Sequence, residues 1–406
     1  MTPETQARLT HHRTVFDDWR SITIGIYMAL VGYGVLVGIP VISTAWVSLL
    51  GFTEVQVGRV AGADLGGFSL GAVIASLLVA RVNRRLLVLV AAGVAIAANG
   101  LCMVTVSYEE TLWLRVIAGI GSGAYTAVAI ATLAGNSRPA RVFNFMLFAF
   151  AFSQGGELYL LPQLSMNGIY LFFIATYLVS LLFITWLPPR PVDKALDVEL
   201  DVEETDHRHH LEHRHIPASV PWLVLAAVLF TYLNIGAYWT YIELASADSQ
   251  TDPEWVGSLL VWSSLFSVLG CAFATVISNR FGLARPLLVT LVVQAIIVGM
   301  LASGINNINV MVSMFAFNFC WVFVDVYQSA TIANVDHSGR FAALMPAAQG
   351  LGQIIGPNLA ASVLAMGLGY RGVFYLCAAA SLTGFAIYLF MYLRLRRQIP
   401  ALADAS

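Results

Sequence analysis

Four ionisable residues lie inside long apolar stretches of this chain: Asp64, Arg115, Glu157 and Asp325. A charged side chain in hydrocarbon costs about 2.5–3.5 kcal/mol on insertion scales, so each must face a partner or water. Arg115 and Glu157 lie about five residues from the ends of their stretches, which at about 1.5 Å per residue puts both near one depth. An arginine beside a titratable carboxylate is a proton relay: protonating Glu157 frees Arg115 to hold an anionic solute. The same two residues also suit a static ion pair that fixes two helices, and the sequence leaves both readings open. Asp64 is a candidate second protonation site, or a neutral acid bonded to a neighbour. Its setting, Gly62-Ala-Asp64-Leu-Gly66-Gly67, allows close helix approach. Asp325 shares a helical face with Asn318, about two turns away. Both are candidate cavity residues, as are Tyr33, Tyr232 and Asn234. Glu243 follows Tyr238, Trp239 and Tyr241, an interfacial aromatic belt, and is a candidate outer gate.

The elements that must hold these residues follow from composition. The chain has 406 residues, of which 58% are hydrophobic and only 11% charged. That charged share is less than half the ~25% typical of soluble domains. Mean hydropathy is +0.77. A water-soluble fold needs a largely polar exterior, so a soluble enzyme and a disordered chain are excluded. A net charge of -2 gives no field for nucleic acid. Cys102, Cys271, Cys320 and Cys377 all lie in apolar runs and read as small core residues. No Ser/His pair, His-x-x-x-His site or paired aspartates occur at helical spacing, so no enzymatic activity is expected. No cofactor is expected either.

The pattern is that of an all-α polytopic membrane protein with the lipid bilayer as its partner. A spanning helix needs about 20 mostly apolar residues. Twelve such spans start near residues 21, 54, 86, 110, 141, 168, 219, 254, 286, 308, 341 and 371. With the N-terminus in the cytoplasm, all but Arg59, Arg115 and Arg371 of the 21 Lys and Arg residues fall at cytoplasmic ends. Both termini are therefore expected inside, in a plasma or bacterial inner membrane. The first apolar run is too long for a cleavable leader.

Shifting the sequence by 199 residues aligns its halves without a gap. Tyr33 lands on Tyr232, Val57-Gly58 on Val256-Gly257, Gly71 on Gly270, Arg81 on Arg280, Arg141 on Arg340 and Gln154 on Gln353. An even number of helices per half makes this a parallel repeat. The expected organisation is an N-terminal tail (1–20), a six-helix bundle (21–189), a cytoplasmic linker (190–218), a second six-helix bundle (219–397) and a C-terminal tail (398–406). The linker is acidic and then rich in histidine, with His207, His209, His210, His213 and His215. It reads as a solvated segment, and no metal site is assigned to it.

Two six-helix halves joined by a charged linker resemble the major facilitator superfamily. In that family the loop after the second helix reads approximately Gly-x-Leu-Ala-Asp-Arg-x-Gly-Arg-Arg. This chain has Ser76-Leu-Leu-Val-Ala-Arg81-Val-Asn-Arg84-Arg85 and, in the second half, Thr275-Val-Ile-Ser-Asn279-Arg280-Phe-Gly282-Leu-Ala-Arg285. The family's Arg and Gly-rich run in helix 4 is similar to Arg115-Val-Ile-Ala-Gly119-Ile-Gly121-Ser-Gly123. Its antiporter pattern Gly-x-x-x-Gly-Pro is present in helix 11 as Gly352-Gln-Ile-Ile-Gly356-Pro357.

The resemblance implies a fold that opens alternately to each side around a midplane site lined by helices 1, 4, 7 and 10. It also implies a cytoplasmic gate built from Arg81, Arg84, Arg85, Asn279, Arg280 and Arg285; the same arginines also serve as topology signals. Gly119, Gly121, Gly123, Gly352 and Gly356 suit close helix packing, and Pro357 a hinge. The expected function is secondary active transport of a small organic solute, such as an organic anion, coupled to protons or another ion. An efflux antiporter of drugs or metabolites is the alternative. A non-transporting receptor would need a larger soluble domain. A monomer is expected.

Overall fold

Helix boundaries follow from local chemistry that the chain spells out. Gly51, with φ at 71°, stops the first helix in the left-handed conformation, and its N–H bonds Val47 O at 3.1 Å. Two residues later a capping box starts the second helix. Thr53 N–H donates to Gln56 Oε1 at 2.9 Å, and Gln56 N–H donates to Thr53 Oγ1 at 3.2 Å. Asn83 caps the third by accepting Arg85 N–H at 2.9 Å.

The computed structural model describes residues 15–79, 81–136, 139–189, 219–277, 280–335 and 340–398. They form twelve α-helices and no strand. These are α1 Trp19–Leu50, α2 Glu54–Leu78, α3 Arg84–Cys102, α4 Tyr108–Ala134, α5 Pro139–Leu160, α6 Met166–Leu182, α7 Ser219–Asp248, α8 Pro253–Ile277, α9 Ala284–Ala302, α10 Asn307–Val335, α11 Arg340–Ala365 and α12 Gly369–Gln398. Helix is what an apolar solvent demands, because no water is there to bond a bare backbone. Among the described residues nine of these helices are long and apolar enough to cross a membrane; α6 is apolar but shorter, and α5 and α11 are not among the nine. The linker 190–218, its histidines and Asn279 lie outside the described residues.

The repeat of 199 residues is built into the helices. α2 and α8 start and stop 199 residues apart, and α4 and α10 start 199 apart. Their packing repeats too. A side chain at Gly71 would meet the backbone of Ile120, and one at Gly270 would meet the backbone of Phe319, the residues related by the same shift. Small residues at both places let the helix backbones approach.

By internal contacts the chain divides into two compact units. The first takes in Met1–Leu36, Gly67–Ser153 and Asn167–Val198. Its core packs Met28 of α1, Val88 and Ala92 of α3, Tyr125 and Ala129 of α4 and Tyr177 of α6. The second takes in Val37–Gly66, Gln154–Met166 and Glu199–Ser406, and so holds α7 to α12. Within it α7 lies tight against α11. Gly352 and Gly356 leave no room for a side chain beside the α7 backbone at Leu229 and Leu233. α9 and α12 are tied by the Ser381 hydroxyl, which donates to Leu291 O at 2.8 Å.

Candidate functional site

The close packing of α7 on α11 brings three polar residues of the second unit together. Asp325 lies within α10 and is partly accessible. Its Oδ1 accepts the Tyr232 hydroxyl of α7 at 2.7 Å and the Gln349 amide of α11 at 2.9 Å. Three helices thus meet on one carboxylate oxygen. Tyr232 is buried, so its ring fixes the direction of its O–H. A second polar contact follows one turn along α10: the Gln328 amide donates to Thr231 Oγ1 at 2.8 Å. Toward the other end of α7, the Trp239 and Trp321 rings meet edge to face at 5.9 Å. The arrangement holds a carboxyl group inside the membrane span with donors on one oxygen, which suits it to gain and lose a proton as its helices shift.

A seam of hydrogen bonds lies in the same unit, joining residues of α1 and α2 to α7 and α11. Arg59 of α2 donates to Asn358 O at 3.1 Å, to Asn358 Oδ1 at 2.9 Å and to Ser362 Oγ at 2.9 Å. The Tyr241 hydroxyl donates to Glu54 O at 2.9 Å, and the Trp239 indole to Val37 O at 3.3 Å. Near Glu243, the Thr44 hydroxyl donates to Pro40 O at 3.2 Å on its own helix. Gly58, Gly62 and Gly66 present a bare face of α2 here: added side chains would meet Pro357 O, Asn358 and Ile354 of α11.

The Major Facilitator Superfamily profile matches residues 21–357 and 224–405. The chain belongs to this superfamily. No curated protein sequence matches it significantly. Solved structures share its fold over nearly their whole length. The nucleoside transporter NupG superposes with a TM-score of 0.68 at 15% identity, covering 92% of this chain and 98% of its own. A D-xylose-proton symporter gives 0.69 at 15% identity, over 92% and 96%. The POT family transporter PepTSo gives 0.72 at 11% identity, over 93% and 99%. The protein is thus an integral membrane protein with a superfamily transporter fold.

Of the residues singled out from sequence, the structure brings Tyr232 and Asp325 into contact. It holds Asn318 elsewhere. The Asn318 amide donates to Ser263 Oγ at 3.1 Å and Met314 O at 3.0 Å, and the Ser267 hydroxyl donates back to Oδ1 at 3.3 Å. The side chain therefore joins α10 to α8. Asn234 is fully buried in α7, with neither end of its amide bonded among the described residues. Tyr33, the repeat equivalent of Tyr232, packs in the first unit between Phe68 at 5.6 Å and Phe150 at 6.0 Å.

Arg115 is buried in the first unit. It donates to Asn99 Oδ1 of α3 at 2.8 Å and lies 5.8 Å from the Tyr170 ring of α6. Glu157 and Asp64 are buried in the second unit. Arg84 lies 4.6 Å over the Phe16 ring, and its backbone N–H meets Pro189 O at 3.0 Å. Arg85 donates to Leu187 O at 2.7 Å and Thr185 O at 2.6 Å. Both residues fasten the start of α3 to the chain that follows α6. Arg81 and Arg280 sit in the turns after α2 and α8. Arg285 lines an apolar groove of α8, α9 and α10.

Gly119 accepts the Ser122 hydroxyl on its carbonyl at 3.1 Å. Gly121 faces Ala91 and Ala95 of α3, Gly123 faces the backbone of Phe68, and the Pro357 ring lies against Gly236 of α7. Sequence reasoning missed Gln349, Asn99 and Arg59. A polar residue inside an apolar stretch was the signal available for the first two. For Arg59 it was the spacing of Gly58, Gly62 and Gly66.

Proposed function

We propose that this superfamily member is a proton-coupled secondary transporter of a small organic solute, with Asp325 as its protonation site. The observation that carries the reading is the carboxylate shared by α7, α10 and α11, with Oδ1 bonded by Tyr232 and Gln349. An intramembrane acid is a functional candidate by default, because its insertion is costly. Donors on two other helices make its hold on a proton depend on where those helices lie. Any motion of α7 or α11 past α10 then changes protonation, and protonation changes the motion. That is what coupling a proton gradient to alternating access requires. A proton symporter among the proteins of like fold lends the reading support.

The test uses purified protein in liposomes that enclose a pH dye. A panel of organic acids, sugars and cationic drugs is applied to wild type and to Asp325→Asn. A solute-dependent proton flux in wild type, absent from the variant, is the expected result. Its sign separates uptake with protons from efflux against them. Equilibration of labelled solute with no proton flux in wild type overturns the coupling.

A further inference from the structure

A groove of about 820 Å³ runs along α10, with α8 on one side and α9 on the other. Phe315, Phe319 and Phe323 recur at every fourth residue of α10 and line its length. Phe266 and Phe273 line it from α8, and Val289 from α9. The rings brace one another: Phe266 stacks on Phe315 at 4.6 Å, and Phe319 on Phe323 at 5.8 Å. Braced rings hold the groove's shape in place of collapsing into it. The hydroxyl of Thr290, also in the lining, donates to Pro286 O at 2.7 Å on its own helix. Among the described residues the one charged group in the lining is Arg285, at the end where α8 turns into α9, and no acid lines the groove. Arg280 lies in the same turn.

Two features decide what fits. All three helices are long and apolar enough to cross a membrane, and Phe273, Val289 and Val312 are exposed, so the groove opens on the bilayer. From Met311 to Phe323 it runs about 18 Å at 1.5 Å per residue. One leaflet of a hydrocarbon core is about 15 Å deep. The groove therefore has the length of one acyl chain, with a positive charge at headgroup depth.

We propose that this groove binds one anionic phospholipid, its chain laid along α10 and its phosphate at Arg285. A basic residue near a membrane surface contributes about 1 kcal/mol toward an anionic lipid, which is about a fivefold preference. The inference does not rest on the role of Asp325.

The test places the full-length protein in nanodiscs of phosphatidylcholine containing a minor share of phosphatidylglycerol. Lipids that stay bound on transfer to detergent are counted by native mass spectrometry. Wild type is expected to retain one phosphatidylglycerol about fivefold beyond its share of the disc. Arg285→Gln is expected to bring the two lipids to parity. Val289→Trp, at a position exposed to the bilayer, fills the groove and removes the bound lipid of either kind. Equal enrichment in wild type and Arg285→Gln overturns the proposal. So does retention that Val289→Trp leaves unchanged, or a wild type with no enrichment at all.

Discussion

Oδ1 of Asp325 accepts a hydroxyl and an amide from two different helices, so neither donor acts independently of the other. A hydrogen bond to a charged group contributes about 1.5–3 kcal/mol. Tyr232→Phe and Gln349→Leu are each expected to lower solute-driven proton flux by about tenfold or more. The double variant is expected to lose less than the product of the two, because one acceptor is shared. Strict multiplicativity of the two losses in the liposome assay would mean that the two side chains do not work through Asp325. Part of this trio is readable from sequence. A carboxylate in an apolar run announces itself, and Tyr232 repeats Tyr33. Gln349 is marked only as a polar residue in an apolar run, which shows nothing of what lies 24 residues away. Arg115 shows the same limit. Its burial was legible, but its bond to Asn99 of α3 depends on how α4 packs against α3. Asn99→Ala removes this buried acceptor and is expected to cost about 1–3 kcal/mol, read as a lower melting temperature.

At the scale of elements, the glycine face of α2 and the proline-bearing stretch of α11 make one contact. Gly58, Gly62 and Gly66 bring the helices close enough for Arg59 to reach Asn358 and Ser362. A leucine at Gly62 would press on Asn358 and on Ile354 O. The helices can meet only if the seam opens, and overpacking of this kind costs about 1–3 kcal/mol. Gly62→Leu is therefore expected to favour conformations in which this end is parted. A cysteine placed at Ser362 then reacts faster with a membrane-impermeant thiol reagent than it does in the Gly62 background. Unchanged reactivity would show that the seam does not open. Sequence reasoning located α2 within a residue or so and still read Arg59 only as a charge beyond the membrane. Topology rules count charges near the membrane surface. They do not register an arginine one turn into a helix that bonds the helix packed against it.

For the whole molecule, the repeat separates what builds the fold from what the proposed proton coupling would use. Gly71 on Ile120 and Gly270 on Phe319 are one contact made twice, so the frame carries the symmetry of the sequence. This is why twelve helices could be placed from composition and spacing alone: each span is set by bilayer thickness, and each half repeats the other. The polar residues break that symmetry. Tyr232 bonds a carboxylate, whereas Tyr33 packs between two phenylalanines. Two outcomes follow from the contrast. Gly71→Leu and Gly270→Leu are expected to destabilise the protein alike, by about 1–3 kcal/mol each, since each drives a side chain into a helix backbone. Tyr33→Phe and Tyr232→Phe are expected to differ, the second lowering proton flux far more than the first, because the Tyr232 hydroxyl bonds the Asp325 carboxylate itself. Thermal melts check the first pair and the liposome assay the second. If the two tyrosines proved equally sensitive, proton chemistry would have to be shared by both halves, and Asp325 could not be its sole seat.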